Sequence, residues 1–201
     1  TFKGKTMRSG KVTTFSEYSI VSENRITPVP HEVSNDFCAL LGCGLSTSLC
    51  TITNEARVQP GESVMILGLG GLGTCLIKAA RFAGASPIIG VDIRDNKKST
   101  VKSLHGDLFI NAAKKDIRET MQRGLGIKEV DVIIETSGNA QSIANTIPLL
   151  GNDGRYILVG QTKPGESIEI KIANHLFGGE IINLCGAPNR REEPLCPRLH
   201  L

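Results

Sequence analysis

The 201-residue sequence predicts an α/β fold, a doubly wound parallel sheet with helices on both faces, on three observations. Short apolar runs alternate repeatedly with segments of helical periodicity, and the connections between them are brief. The first of the regular apolar runs ends in a glycine-rich turn that opens a helix. The next one ends in an aspartate.

In chain order, residues 14–21 alternate roughly between apolar and polar and carry aromatic and β-branched side chains, the pattern of a strand. Pro28-Val29-Pro30 breaks it. Val33, Phe37, Leu40 and Leu41 then follow helical spacing, with Gly42 as the expected stop. After the Pro60-Gly61-Glu62 turn, Ser63-Val64-Met65-Ile66-Leu67 is a continuous apolar run, as a strand covered on both faces requires. Leu72, Leu76, Ala79, Ala80 and Ala83 mark a helix closed by Gly84. Residues 87–92 read as the second strand, 96–104 as a polar helix ending at Gly106, and 107–110 as a short third strand. A helix at 117–121, a fourth strand at 130–135 and a helix at 140–150 follow, with Pro148 weakening its last turn. Gly151-Asn152-Asp153-Gly154 reads as a turn into a fifth strand, 155–159, and residues 181–185 are a candidate sixth.

Composition narrows the function classes. With 40% hydrophobic residues, 21% charged residues and a net charge of only +3, disorder is excluded. No run of about 18 apolar residues occurs, which rules out a membrane span, and no membrane partner is expected. Six cysteines without a C-x-x-C pair signal neither a disulfide scaffold nor a zinc finger. Scattered lysines and arginines, with few aromatic residues, argue against nucleic acid. The absence of a secretory signal pattern makes a cytoplasmic location the expectation, and Thr1 in place of an initiator methionine suggests a partial chain.

Gly68-Leu69-Gly70-Gly71-Leu72-Gly73 is G-x-G-x-x-G between an apolar strand and an amphipathic helix, the Rossmann dinucleotide-binding context. Gly68 permits the sharp turn, Gly70 lets the backbone approach a pyrophosphate, and Gly73 lets helix and strand pack closely. The helix start offers N–H groups and partial positive charge to phosphate. Asp92 ends the next strand about 20 residues on, where a carboxylate accepts from a ribose hydroxyl. Its charge favours NAD over NADP, while Arg94 keeps NADP from being excluded outright. Methyltransferase turns instead crowd their glycines as G-x-G-x-G. Lys97 reads either as a ribose or phosphate contact or as a solvated lysine. Ser137, and Val159-Gly160-Gln161, follow the fourth and fifth strands and read either as cofactor-bordering or as ordinary turn residues.

Leu41-Gly42-Cys43-Gly44-Leu45-Ser46-Thr47, followed by the glycine turn and Asp92, resembles the medium-chain dehydrogenase/reductase family. The nearest branch is the zinc-dependent alcohol dehydrogenases, including the class III type. Thr14-Phe15-Ser16-Glu17-Tyr18 and the stretch from Gly84 to Asp92 carry the same resemblance, which runs over about residues 1–179. It implies hydride transfer between a small-molecule alcohol or aldehyde and NAD, with zinc in the complete protein, and a homo-oligomer. It also implies that residues 1–43 are the end of a GroES-like, β-rich catalytic domain, that 44–186 are the NAD-binding domain and that 187–201 are a divergent tail. Cys43 becomes a ligand of the catalytic zinc and Thr47 a residue facing the nicotinamide. A lone cysteine between glycines would otherwise read as a small buried hydrophobe.

The departures are equally specific. The family's other zinc ligands and its structural-zinc cysteines precede the region matched here. His31, His105, His175 and His200 sit in no ligand motif, and Cys38, Cys50, Cys75, Cys185 and Cys196 match no ligand position. The stretch from Arg190 to Leu201 departs from the family pattern through divergence, truncation or a shifted reading frame. Two other readings stay open: a zinc-free NADPH quinone or enoyl reductase of the same superfamily, and a non-catalytic dinucleotide-binding protein.

Overall fold

Seven strands form one sheet in the order β3-β2-β1-β4-β5-β6-β7 in a computed structural model that describes residues 17–168, 180–183 and 198–200. They are β1 (Val64–Leu67), β2 (Ile88–Asp92), β3 (Leu108–Asn111), β4 (Val130–Glu135), β5 (Leu150–Leu158), β6 (Glu180–Asn183) and β7 (Arg198–His200). The first six pair in parallel, and β7 joins β6 antiparallel. The chain divides between Ala39 and Leu40, and the whole sheet lies in the second unit.

Burial explains why the central strands lack polar alternation. Every residue of β1 and β2 is buried, because both faces of the sheet are covered. On one face Val64, Ile66, Ile88, Val132 and Ile134 pack with Leu76, Ile77 and Ala80 of α3 (Gly71–Phe82) and Val101 of α4 (Lys97–Ser103). On the other, Met65, Leu67, Ile89, Ile133 and Tyr156 pack with Met121 of α5 (Ile117–Leu125) and Ile143 of α6 (Ala140–Thr146). Alternate residues of one strand thus serve opposite layers. Leu67 is level with Val91 on one side and Glu135 on the other, so the ends of β2, β1 and β4 meet at one edge. The strand order reverses at β1, the place where open α/β sheets leave a crevice.

Several expectations need correction. The helix expected to stop at Gly42 continues: α1 (Asn35–Leu40) passes through a wide π-type turn at Leu41–Leu45, α2 (Ser46–Cys50) and a second such turn at Thr51–Glu55. Ser48 Oγ donates to Gly44 O at 2.7 Å, and Ile52 and Ala56 enter the core. That burial outweighs the roughly 1 kcal/mol that a glycine costs inside a helix. The resulting 21-residue helix, Asn35–Glu55, is long and apolar enough to cross a membrane by length and composition, a test that core helices also pass. An unbroken-run criterion misses it because Ser46, Thr47, Ser48, Thr51 and Thr53 interrupt the run.

Residues 14–16 of the expected first strand lie outside the described residues, and Glu17–Val21 form no strand. Ile20 is 100% exposed, so the alternation there buries no apolar face. The expected turn at 151–154 lies inside β5: Val130 pairs with Leu150 and Val132 with Arg155, so the segment bulges out of register, with Asp153 at φ 57°. The helix expected over 140–150 ends at Thr146 and gives way to a tight 3-10 turn, Ile147–Leu149, that contains Pro148. Of the expected sixth strand, Glu180–Asn183 is observed, and residues 184 and 185 lie outside the described set.

Candidate functional site

After β1 the chain turns at Gly68, whose φ of +84° lies in the left-handed region that favours glycine. A Cβ on Gly73 would lie 1.9 Å from Gly68 O, so the first turn of α3 rests directly on the strand end. A Cβ on Gly70 would meet nothing within 4 Å. The fold therefore needs Gly73, whereas Gly70 keeps space open in front of the helix. No side chain caps the start of α3. Leu69 turns its side chain into the core and presents only backbone to the turn.

Asp92 closes this arrangement from β2. Its Oδ2 accepts from Leu69 N–H at 2.8 Å and its Oδ1 from Arg94 N–H at 3.0 Å, with Arg94 Nε 3.5 Å from the same oxygen. Burial pushes the carboxyl upward, but the Leu69 and Arg94 N–H groups and the Arg94 guanidinium together hold it below the ordinary aspartate value. A carboxylate has about four acceptor positions, so roughly one remains for a hydroxyl donor.

A third loop is organised by Glu135, the buried last residue of β4. Its Oε1 accepts from Ser137 N–H at 2.7 Å and from the Ser137 hydroxyl, and Gly138 N–H lies 3.0 Å from the same oxygen. The segment after β5 packs against this loop. A Cβ on Gly138 would lie 2.2 Å from Gln161 O, and one on Gly160 would lie 2.3 Å from Gly138 N.

These loops border a cleft of about 1440 Å³. Gly68, Gly70, Gly71, Leu72, Asp92 and Ser137 line it. Leu69 and Gly73 stand behind that lining as backbone support, and Val159, Gly160 and Gln161 border the Ser137 loop rather than the cleft itself. Lys97 begins α4 and does not line it. Sequence reasoning passed over Glu135, Ile93, Lys115 and Arg118. The last three line the cleft, and the rule that ligands sit beyond strand carboxyl ends, applied to β3 as it was to β4 and β5, would have pointed to Lys115 and Arg118.

The glycine cradle, the open space at Gly70 and the paired acceptor at Asp92 fit a dinucleotide. Cys43 is exposed in the first π-type turn and Thr47 is half-buried in α2; neither lines the cleft. Among the described residues no three His, Cys, Asp or Glu side chains gather as a metal site. The described residues therefore do not fit a zinc centre.

The family model for zinc-binding dehydrogenases matches residues 71–193, more than half of the chain. The chain belongs to the zinc-binding dehydrogenase family. The chain is 34% identical over 162 residues to the class-3 alcohol dehydrogenase of Pisum sativum, a match that covers 79% of the chain and 42% of the relative. It is 31% identical over 161 residues to an S-(hydroxymethyl)glutathione dehydrogenase of Synechocystis sp., covering 79% of the chain and 43% of the relative. Among solved structures, an alcohol dehydrogenase zinc-binding domain protein from Burkholderia ambifaria superposes with a TM-score of 0.70 at 28% identity, over 78% of this chain and 42% of that one. The chain thus spans less than half the length of these relatives. The parallel α/β architecture expected from the sequence is the one shared with them.

Proposed function

We propose that the cleft binds NAD and that this chain is the NAD-binding part of a zinc-type alcohol dehydrogenase acting on an alcohol or aldehyde. On this reading residues 1–43 are the end of its catalytic portion, and the whole protein is a homo-oligomer. The observation that carries the reading is the Leu69–Asp92 hydrogen bond, which brings the two halves of the dinucleotide motif together at the cleft. The relatives' names, an alcohol dehydrogenase and a glutathione-adduct dehydrogenase, supply the substrate class.

Bound NAD supplies the hydride acceptor. The chain's own residues place it: Gly68 and Gly70 admit the pyrophosphate to the start of α3, Asp92 accepts from the adenosine ribose, and the Ser137 loop, tied down by Glu135, walls the other side. Cys43 would supply one ligand to the zinc of the complete protein, and the other described residues of the site serve cofactor placement. Calorimetric titration of the full chain with NADH tests the binding claim. Saturable uptake with a Kd below about 1 mM is expected, and no uptake at millimolar NADH overturns it. Reduction of NAD by primary alcohols, with and without formaldehyde plus glutathione, tests the reaction on the parent protein.

A further inference from the structure

The peptide joining Gly68 to Leu69 opens the glycine turn, and the neighbouring strands hold both of its polar groups. Its N–H, on Leu69, donates to Asp92 at the end of β2. Its C=O, on Gly68, lies 2.8 Å from Oγ1 of Thr136, the residue that follows β4. The Thr136 hydroxyl has one proton to donate. Leu67 O lies farther from it, at 3.0 Å, and already accepts from Thr136 N–H at 2.9 Å, so Gly68 O is the acceptor that needs it. β2 and β4 flank β1 on opposite sides, and the two anchors therefore grip one peptide plane from both directions. Little else restrains that plane: Gly68 has φ +84° and no side chain, and no side chain caps the start of α3. Gly68 O is also the atom on which the first turn of α3 rests, since a Cβ on Gly73 would lie 1.9 Å from it. Rotating that carbonyl would displace the helix start and with it the N–H groups it offers to phosphate. Thr136 itself is half-buried and lines the cleft with Gly68, Gly70 and Gly71.

We propose that Thr136 is a positioning residue for the pyrophosphate: by donating to Gly68 O, its hydroxyl fixes the peptide plane from which the phosphate-facing N–H groups take their direction. The inference rests on the dinucleotide reading above and deepens it. Asp92 both holds the turn and meets the ribose, whereas Thr136 acts through Gly68.

Titrations of the full chain with ADP-ribose and with adenosine, each read by displacement of fluorescent NADH, test this in the wild type, Thr136→Val and Thr136→Ser. ADP-ribose carries the pyrophosphate, whereas adenosine keeps only the end that meets Asp92. T136V replaces the hydroxyl by a methyl of similar size. It should raise the ADP-ribose Kd by about tenfold and leave that of adenosine within about twofold. T136S keeps the donor and should bind both ligands as the wild type does. Equal weakening of the two ligands in T136V would overturn the proposal, because it marks a general loosening of the cleft. An unchanged ADP-ribose Kd in T136V would overturn it too, as would a T136S variant as impaired as T136V. If T136V melts early, Thr136→Ala, which sets no methyl against Gly68 O, carries the same comparison. Failure of the wild type to bind NADH is a different result, because it removes the dinucleotide reading along with this one.

Discussion

Leu69 donates its backbone N–H to the Asp92 carboxylate at 2.8 Å, so the residue that ends β2 also holds the glycine turn that follows β1. Asp92→Ala would leave that buried donor unpaired, at a cost of about 1–3 kcal/mol, and would remove the ribose acceptor. Urea unfolding and NADH titration should both show the loss, with NADH weakened roughly tenfold or more. Asp92→Asn keeps one carbonyl oxygen for Leu69 and should be the milder change in stability. The folded carboxyl titrates below its unfolded value of about 3.9. Its contribution is therefore complete above that pH and is lost as pH falls through the lower folded value.

Gly73 and Gly70 should separate fold from binding. A Cβ at position 73 overlaps Gly68 O at 1.9 Å, so Gly73→Ala must push α3 off the strand end, costing about 1–3 kcal/mol or more. A Cβ at position 70 meets nothing, and the residue's φ of −71° suits alanine. Gly70→Ala should melt within a degree or two of wild type yet lose NADH affinity, because the methyl occupies the space the pyrophosphate needs. Equal melting losses in the two variants would sink this division of labour.

Tyr156 gives an alkaline prediction. Its side chain is fully buried, its hydroxyl lies 2.8 Å from Thr146 Oγ1, and burial pushes the phenol far above the ordinary tyrosine value, with the Glu135 charge adding to the effect. The unfolded phenol ionises near pH 10 while the folded one stays neutral, so stability is complete below about pH 10 and falls as pH rises beyond it. The slope from this group approaches about 1.4 kcal/mol per pH unit. Tyr156→Phe should flatten that slope in urea unfolding between about pH 10 and 11.5, at the cost of about 1 kcal/mol near neutrality for the lost hydrogen bond.

The central strands were legible because burial on both faces leaves mostly apolar residues: 130–135 coincides with β4, and the run at 63–67 with β1 to within one residue. Gly68, Gly73 and Asp92 were legible because each answers a local steric or electrostatic demand. The passage of the helix through Gly42 was not, since the stop signal is local while the burial of Ile52 and Ala56 that overrides it is tertiary. Alternation at Glu17–Val21 misled for the converse reason: a period of two makes a strand only where one face is buried. Lys115 and Arg118 sit in a polar stretch with no motif of their own, and the one sequence signal for them is their place beyond the carboxyl end of β3, which pairs with β2 beside the cleft.

Glu135 is the least legible of the site's residues, because in sequence it is merely the polar end of an apolar strand. Its function depends on the chain doubling back, so that the Ser137 and Gly138 N–H groups point at its carboxylate while Gly160 presses on the same loop. Glu135→Gln would turn an amide NH2 toward those donors or leave one of them unpaired, costing about 1–3 kcal/mol. The loss should concentrate in the Ser137–Asn139 loop. Amide exchange there should therefore rise more than in β1, and NADH affinity should fall through the loosened wall. Glu135→Ala, which opens a cavity as well, should be worse on both counts. If E135Q left exchange in this loop unchanged while NADH binding still fell, the carboxylate would be acting on the cofactor directly rather than through Ser137 and Gly138.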